Sequence, residues 1–349
     1  MSSSGTGSVF AEAGHDPFII AEIGVNHDGR LDRGLELVQS AASAGADAVK
    51  FQWFDARELL SSSAALVAYQ REAGESDAHQ MLDRLQLSSA EMVQLINCAR
   101  RLGLQSIVTV FTPGLVAEAM KLPWDMLKTA SPDLINRPLL EAVRATGLPL
   151  LVSTGGSTLQ EVQESLSWIG PYELGVLHCV SSYPTAEAEA SLGAIRVLAE
   201  ATGLPVGYSD HTTALETGGL AVAAGATILE KHLTWDRTAK GPDHATSMPP
   251  VDFAGYVAFA RRARQMLGKY EKSVGPSEQA VIAASRQSVS VRTDIPSGTL
   301  LQREHLSTMR PGSGIPPAQL DSLIGRRVVR MLPSGSLLSY DDLHSESES

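Results

Sequence analysis

From Phe18 onward, short apolar runs alternate with longer stretches in which apolar residues recur every three to four positions. Runs of four to eight residues bounded by turn signals read as buried strands, and the longer period reads as helix. Strands are predicted at 18–23, 47–52, 105–110, 126–130, 148–153, 174–179, 205–209 and 227–231. Helices are predicted over 31–44, 89–102, 114–121, 137–146, 158–168, 190–202, 213–224 and 252–267. Several of them stop at an Ala-Gly or Thr-Gly pair, where glycine supplies the left-handed turn that returns the chain to the sheet. Eight such units with short buried strands predict an α/β fold, a (β/α)8 barrel rather than an open sheet. The interval 53–88 is longer than a usual strand-to-helix connection and predicts an extra helix or a lid.

The alternation stops near Leu267. The pattern therefore divides the chain into a barrel domain over 15–270, a linker with a short helix over 271–285, and a small module over 286–344. Composition predicts disorder for residues 1–14 and for the tail 345–349. The module carries an internal repeat, DIPSGTLLQREHL at 294–306 and MLPSGSLLSYDDL at 331–343, in which Pro296 pairs with Pro333 and Gly298 with Gly335. Each half reads as strand, Pro-Ser-Gly turn, strand and a short helical end. A module of about 60 residues without disulfides has a marginal core and is expected to pack on something. That partner is its own barrel or, as the linker favours, the barrel of a second subunit in a domain-swapped homodimer.

Composition narrows the function classes. Of 349 residues, 43% are hydrophobic and 19% charged, as in an ordinary globular protein. The net charge of −11 is not segregated into runs, which argues against a nucleic-acid-binding face. An anionic substrate would have to be drawn in by local cations instead. The two cysteines, Cys98 and Cys179, fit a reducing cytoplasm better than a disulfide framework. The N-terminus lacks the basic and apolar regions of a secretory signal, and no run of 18 apolar residues predicts a membrane span.

Polar residues gather where the predicted strands end. These are Glu22 with Asn26 and His27, Lys50 and Gln52, Thr109, then Lys128, Ser131 and Asp133. Ser153 and Thr154 follow, then His178, Ser181 and Tyr183, then Ser209 with His211, and finally Lys231 with His232. In a barrel all of these sit on the C-terminal rim, where this fold places its active sites. Helix capping is the alternative for Ser153, Ser157 and Asp210. His211 and His232 end consecutive strands 21 residues apart, one strand–helix–strand step, so two imidazoles would meet at the rim. They form either a divalent-metal clip or two unrelated strand-end histidines.

Lys50 and Lys128 each end an apolar strand. They are either lysines snorkelling from the barrel mouth or a pair of cations for a phosphate and a carboxylate. A Schiff-base lysine is a further option on this fold. The Gly-rich turn STGGST at 153–158 is a weak candidate for an oxyanion cradle. Glu22, Asp133 and Asp243 are the carboxylates available for acid–base work or for gripping hydroxyls. The turn GPDHATS at 241–247 places polar residues where a sugar could face them. Glu230 and Lys231 flank His232, and strand alternation must send one of them away from the barrel axis.

The motifs AEIGVNHDG (21–29), GADAVKFQ (45–52), LKTASPD (127–133), LVSTGG (151–156), CVSSYPT (179–185), GYSDHT (207–212), GATILEKHLT (225–234) and GPDHATS together carry a resemblance. Across nearly its whole length the chain resembles the sialic acid synthase, or nonulosonic acid synthase, family, and its last module resembles that family's antifreeze-like SAF domain. The resemblance implies condensation of phosphoenolpyruvate with the open-chain aldehyde of an N-acylated hexose, giving a nine-carbon 2-keto acid and phosphate. It implies that His211 and His232 hold Mn2+ or Mg2+. It places Lys50, Thr109, Lys128, Ser131, Ser153, Ser181 and Ser209 around phosphoenolpyruvate. Glu22, Gln52, Asp133, Tyr183 and Asp243 would meet the acceptor sugar or the reacting centre, and Arg310 would reach the sugar's acyl group from a partner subunit. The chain departs from the family pattern at Val110, Pro132 and Gly156, positions that bear on the shape of the phosphate and acceptor pocket. The alternatives are the same chemistry on a different aldose in a secondary-metabolite pathway, and a non-catalytic sugar-binding protein.

Overall fold

A computed structural model describes residue 10 and residues 16–61, 66, 70–71 and 74–344. The predicted tail and, apart from Phe10, the predicted N-terminal disorder lie outside these residues. The described residues fall into two compact units, divided after Lys269.

In the first unit, eight parallel strands close into a barrel in sequence order. They are β1 (Phe18–Gly24), β2 (Ala48–Gln52), β3 (Gln105–Thr109), β4 (Met126–Thr129), β5 (Leu150–Ser153), β6 (Leu174–Cys179), β7 (Val206–Asp210) and β8 (Ile228–His232). Around them run α1 (Leu31–Ser43), α4 (Ser89–Arg101), α5 (Pro113–Ala119), α6 (Arg137–Arg144), α7 (Leu159–Ile169), α8 (Gly193–Thr202), α9 (Thr217–Ala223) and α10 (Pro250–Leu267). The long 53–88 interval carries two short helices, α2 (Ala56–Leu59) and α3 (Ala78–Leu85). Helix α8 starts later than expected, after a single 3-10 turn at Glu187–Glu189. Its expected glycine stop holds, since Gly203 caps it in the left-handed region at φ 67°.

Because side chains alternate across a strand, each strand sends one set outward and one inward. The outward set builds the main core against the helices, with Ile19, Ala21 and Ile23 of β1 among its members. The inward set forms two layers. The lower one is apolar: Ile20, Ala48, Ile107, Met126, Leu151, Leu177 and Ile228, closed by the fully buried ring of Phe10. Two residues further along the same strands the inward positions are Glu22, Lys50, Thr109, Lys128, Ser153, Cys179, Ser209 and Glu230. The barrel is thus a packed floor carrying a polar ring.

Alternation also decides the ambiguity in β8. Glu230 points inward, whereas Lys231 points outward and is buried between Asp210 (3.0 Å) and the ring of Tyr256 on α10. None of Ser153, Ser157 and Asp210 caps a helix. Thr158 caps α7, and Glu216 precedes α9.

The second unit contains α11 (Gln279–Ser285) and one antiparallel pair, β9 (Ser288–Val291) with β10 (Leu306–Met309). The internal repeat is visible in its backbone. Gly298 and Gly335 both have φ 82°, each half ends in a 3-10 turn, and Ile295 bridges Leu332 between the halves. The strands are shorter than expected, because the second half pairs through isolated bridges only.

The loop after β1 makes stability depend on pH. His27 is fully buried; its Nδ1 accepts the Gly29 N–H at 3.0 Å, and its Nε2 has no partner. Burial lowers its pKa to about 4. Below its ordinary value near 6.5 the unfolded chain takes up a proton that the folded chain refuses. Stability is therefore complete above that value and is lost as the pH falls toward 4, by up to about 3 kcal/mol. Denaturant unfolding at pH 7 and pH 4.5 should show this loss, and His27→Gln should reduce it. An equal loss in the variant would assign the effect elsewhere.

Candidate active site

The polar ring opens into a cavity of about 240 Å3 at the C-terminal mouth of the barrel. At its base stand the two predicted lysines. Lys50 Nζ lies 2.8 Å from Glu22 Oε2, 2.9 Å from Thr109 Oγ1 and 3.7 Å from Glu230 Oε2. Lys128 Nζ donates to Ser153 Oγ at 2.7 Å and stands 3.5 Å from Glu230 Oε1. Both lysines are almost fully buried with their ammonium groups turned inward, so neither snorkels to solvent.

The two carboxylates between them differ in character. Burial raises the pKa of Glu22 despite the pull of Lys50. Burial acts the same way on Glu230, but Lys128 and Lys50 outweigh it and hold its pKa below the usual range. Glu230 is thus a standing counter-charge, fixed further by the Ser209 hydroxyl at 2.9 Å. Glu22, which also accepts from Gln52 Nε2 at 3.1 Å, is the carboxylate poised to exchange a proton. Lys128 has its pKa lowered by burial, and Lys50 has its pKa raised because Glu22 and Glu230 outweigh its burial.

Loops after β4, β5 and β6 close the wall. Gly155 N–H donates to Ser131 Oγ at 3.0 Å. A Cβ on Gly155 would stand 2.4 Å from Ser181 Oγ and 2.8 Å from Ser131 Oγ, so only glycine lets these loops approach so closely. This gives the Gly-rich turn a packing role. Of the three departures, only Pro132 lines the cavity; Val110 is fully buried in the main core and Gly156 is exposed.

The two histidines meet at the rim. Their ring centres are 5.6 Å apart, with Tyr183 4.0 Å from His211 and edge-on to His232 at 6.2 Å. His211 Nδ1 lies 2.8 Å from the Val180 carbonyl, which assigns the proton to Nδ1 and leaves Nε2 as a free acceptor. Burial drives the pKa of His232 well down, and its Nδ1 is buried without a hydrogen-bond partner. Two imidazoles suit a divalent cation. No set of three His, Cys, Asp or Glu able to hold an ion is found among the described residues. A cation here would complete its shell with water and substrate oxygens.

The sequence-predicted residues divide accordingly. Glu22, Lys50, Gln52, Thr109, Lys128, Ser131, Ser153, Ser181, Tyr183, Ser209, His211 and His232 all line this one cavity. Asp243 sits beside it, 3.8 Å from His232 Nδ1, on a loop pinned by Asn26 and Asp28. His244 of that loop is buried against Asp28 (2.8 Å) and Thr234 (2.7 Å) and braces the loop instead of facing a ligand. Asp133 is half-buried in the 3-10 turn Ser131–Ile135, does not line the cavity, and has its pKa raised by burial. Arg310 lies in the second unit on an exposed turn. Phe111, Ala130, Cys179 and Glu230 line the cavity without having been proposed as site residues. Period two from His232 would have found Glu230.

The model of the NeuB family matches residues 37–272, and that of the SAF domain matches 286–344. The chain is 37% identical to the N,N'-diacetyllegionaminic acid synthase of Legionella pneumophila, over 94% of this chain and 95% of that one. It is 33% identical to the synthase of the same name from Campylobacter jejuni, over 88% and 94%. Among solved structures it is similar to the N-acetylneuraminic acid synthetase of Leptospira borgpetersenii in complex with citrate, with a TM-score of 0.71 and 34% identity over 77% of this chain and 91% of that one. With eight strands closed around paired lysines and paired histidines, and with these matches spanning most of its length, this chain belongs to the NeuB family.

Proposed function

We propose that the protein condenses phosphoenolpyruvate with the open-chain aldehyde of an N-acylated hexose, releasing phosphate and a nine-carbon 2-keto sugar acid. The observation that carries this reading is the convergence of Lys50, bonded to Thr109, and Lys128, bonded to Ser153, in one cavity that His211 and His232 also line. Two buried cations with hydroxyl donors suit a small, multiply charged anion. The synthase names of the relatives favour phosphoenolpyruvate as that anion, and acylated amino hexoses as acceptors. N-acetylmannosamine and a diacetamido-dideoxyhexose are the two to try first.

In this mechanism Lys50 and Lys128 bind the phosphate and carboxylate, and the hydroxyls of Ser131, Ser153, Ser181 and Ser209 complete the cradle. Tyr183, Gln52 and Asp243 orient the sugar over the enol. His211 and His232 would hold Mn2+ or Mg2+, which when bound supplies Lewis-acid polarisation of the aldehyde oxygen. C3 of the enol forms the new bond to the aldehyde carbon, whose oxygen takes a proton from Glu22 and becomes a hydroxyl, leaving positive charge at C2. Water adds at C2, its proton passing to Glu22. The C2–O bond then breaks, its electron pair leaving with phosphate, which takes the proton of the C2 hydroxyl as C2 becomes the ketone. Asp133, behind the wall, shapes the Ser131 turn in this scheme. Arg310 is assigned to the acyl group as a donation from a partner subunit, which requires the full chain to sediment as a homodimer.

Phosphate release from phosphoenolpyruvate tests the proposal. Release is expected only with an N-acyl hexose and a divalent ion present. A chelator should cut the rate at least about a hundredfold, with recovery on adding Mn2+ or Mg2+. A folded, metal-supplied protein that releases no phosphate with any N-acyl hexose would contradict it.

A further inference from the structure

The paired register of β7 with β8 ends at Asp210 and Lys231. His211 is the next residue after one strand's last pair and His232 the next after the other's, so this ladder stops one step short of the imidazoles. His232 is paired instead with Glu22 of β1. His211 is tied to the loop after β6, through the Val180 carbonyl and the Thr185 N–H. Neither anchor joins one histidine to the other.

A brace on the outward face of the sheet does join them. Lys231 Nζ lies 3.0 Å from Asp210 Oδ2 and donates to the Thr212 carbonyl at 2.5 Å, with both charged side chains fully buried. Asp210 Oδ1 accepts the Thr212 N–H and the Thr212 hydroxyl, each at 2.8 Å. One ammonium therefore grips the residues on both sides of His211, while its own residue immediately precedes His232. The ring of Tyr256 on α10 covers it, 5.4 Å from Nζ. A Cβ on Gly218 of α9 would stand 2.4 Å from that ring, so glycine is what lets the cover sit so close.

Stability alone does not account for charges at these positions. The preceding outward residues, Val206 and Tyr208 on β7 and Leu229 on β8, belong to the main apolar core. Well-packed apolar residues in place of a buried ion pair are often as stabilising or more so, because the pair must first lose its water. What the pair adds is direction, since its bonds fix backbone on either side of one histidine relative to the other. We propose that Asp210 and Lys231 are positioning residues that set the separation and aim of His211 and His232 from behind the barrel wall. The inference rests on the reading that those histidines hold a divalent cation.

The test is calorimetric binding of Mn2+ to the metal-free full chain without substrates, with phosphoenolpyruvate titrated separately into the same metal-free chain. Asp210→Asn combined with Lys231→Met removes both charges at nearly constant volume. The double variant should bind Mn2+ about 10- to 100-fold more weakly, the usual cost of losing groups that orient metal ligands. Its phosphoenolpyruvate binding should be unchanged, because Lys50 and Lys128 line the inner cavity. Leu229→Ala opens a core cavity on the same outward face and spares the brace, so it should melt earlier yet keep the wild-type Mn2+ affinity. A folded double variant with wild-type Mn2+ affinity overturns the positioning role and leaves the metal reading standing. Equal loss of Mn2+ affinity in Leu229→Ala, or loss of phosphoenolpyruvate affinity in the double variant, overturns it too, since the effect is then general loosening. Should the double variant not fold, Asp210→Asn alone is read by the same criteria. A wild-type chain that binds no Mn2+ overturns the metal role of the histidines and this inference together.

Discussion

His232→Ala is expected to lower phosphate release from phosphoenolpyruvate by about a thousandfold or more while leaving the fold nearly as stable as before. The activity estimate follows from losing one of two imidazoles proposed to hold a cation whose polarising effect is worth several kcal/mol, each 1.4 kcal/mol being a factor of ten. The stability expectation follows from the side chain's surroundings. His232 Nδ1 has no hydrogen-bond partner, so no bond through that atom is lost on truncation. His211→Ala should be equally inactive but less stable, because His211 Nδ1 bonds the Val180 carbonyl and anchors the loop after β6. Steady-state rates, thermal melts and Mn2+ binding on the two variants separate the effects. An active His232→Ala protein, within tenfold of wild type, would remove the metal role from this pair.

Lys128→Met should also abolish turnover, by about 100- to 1,000-fold, as expected for a buried group that stabilises charge in the transition state. Its stability cost should be large, about 3–5 kcal/mol, because Glu230 then keeps only Lys50, at 3.7 Å, as a cationic neighbour. The ring holds two lysines and two glutamates in mutual contact, so removing one of each restores the balance. Lys128→Met combined with Glu230→Gln should recover much of the lost stability and none of the activity. A double-mutant cycle on unfolding free energy measures that coupling. Additive losses would mean that Glu230 does not act as the counter-charge.

The barrel was legible because two periods coexist in the sequence, one of two residues in the strands and one of 3.6 in the helices. The same period of two explains the site: Ile20 and Glu22, Ile107 and Thr109, or Met126 and Lys128 face inward together, floor first and polar ring second. Glu230 was open to this reasoning from His232, yet its neighbour Lys231 has similar polarity, and only the closed sheet separates the inward carboxylate from the outward ion pair with Asp210. His244 and Asp133 mark the limit of reading loops. Their types suit a sugar site, but His244 is consumed by Asp28 and Thr234, and Asp133 does not line the cavity. Phe10 was hidden because a lone aromatic in a polar stretch carries no periodic signal, although its ring completes the barrel floor.

The central claim is that the polar ring holds an enol phosphate whose C–O bond is broken after carbon–carbon bond formation. Phosphoenolpyruvate labelled with 18O at the bridging oxygen tests it directly, with mass analysis of both products after a single turnover with an N-acyl hexose. The account predicts that the label leaves entirely in the phosphate, with one phosphate formed per nine-carbon 2-keto acid. Label retained in the keto acid, or phosphate released without that product, would contradict it.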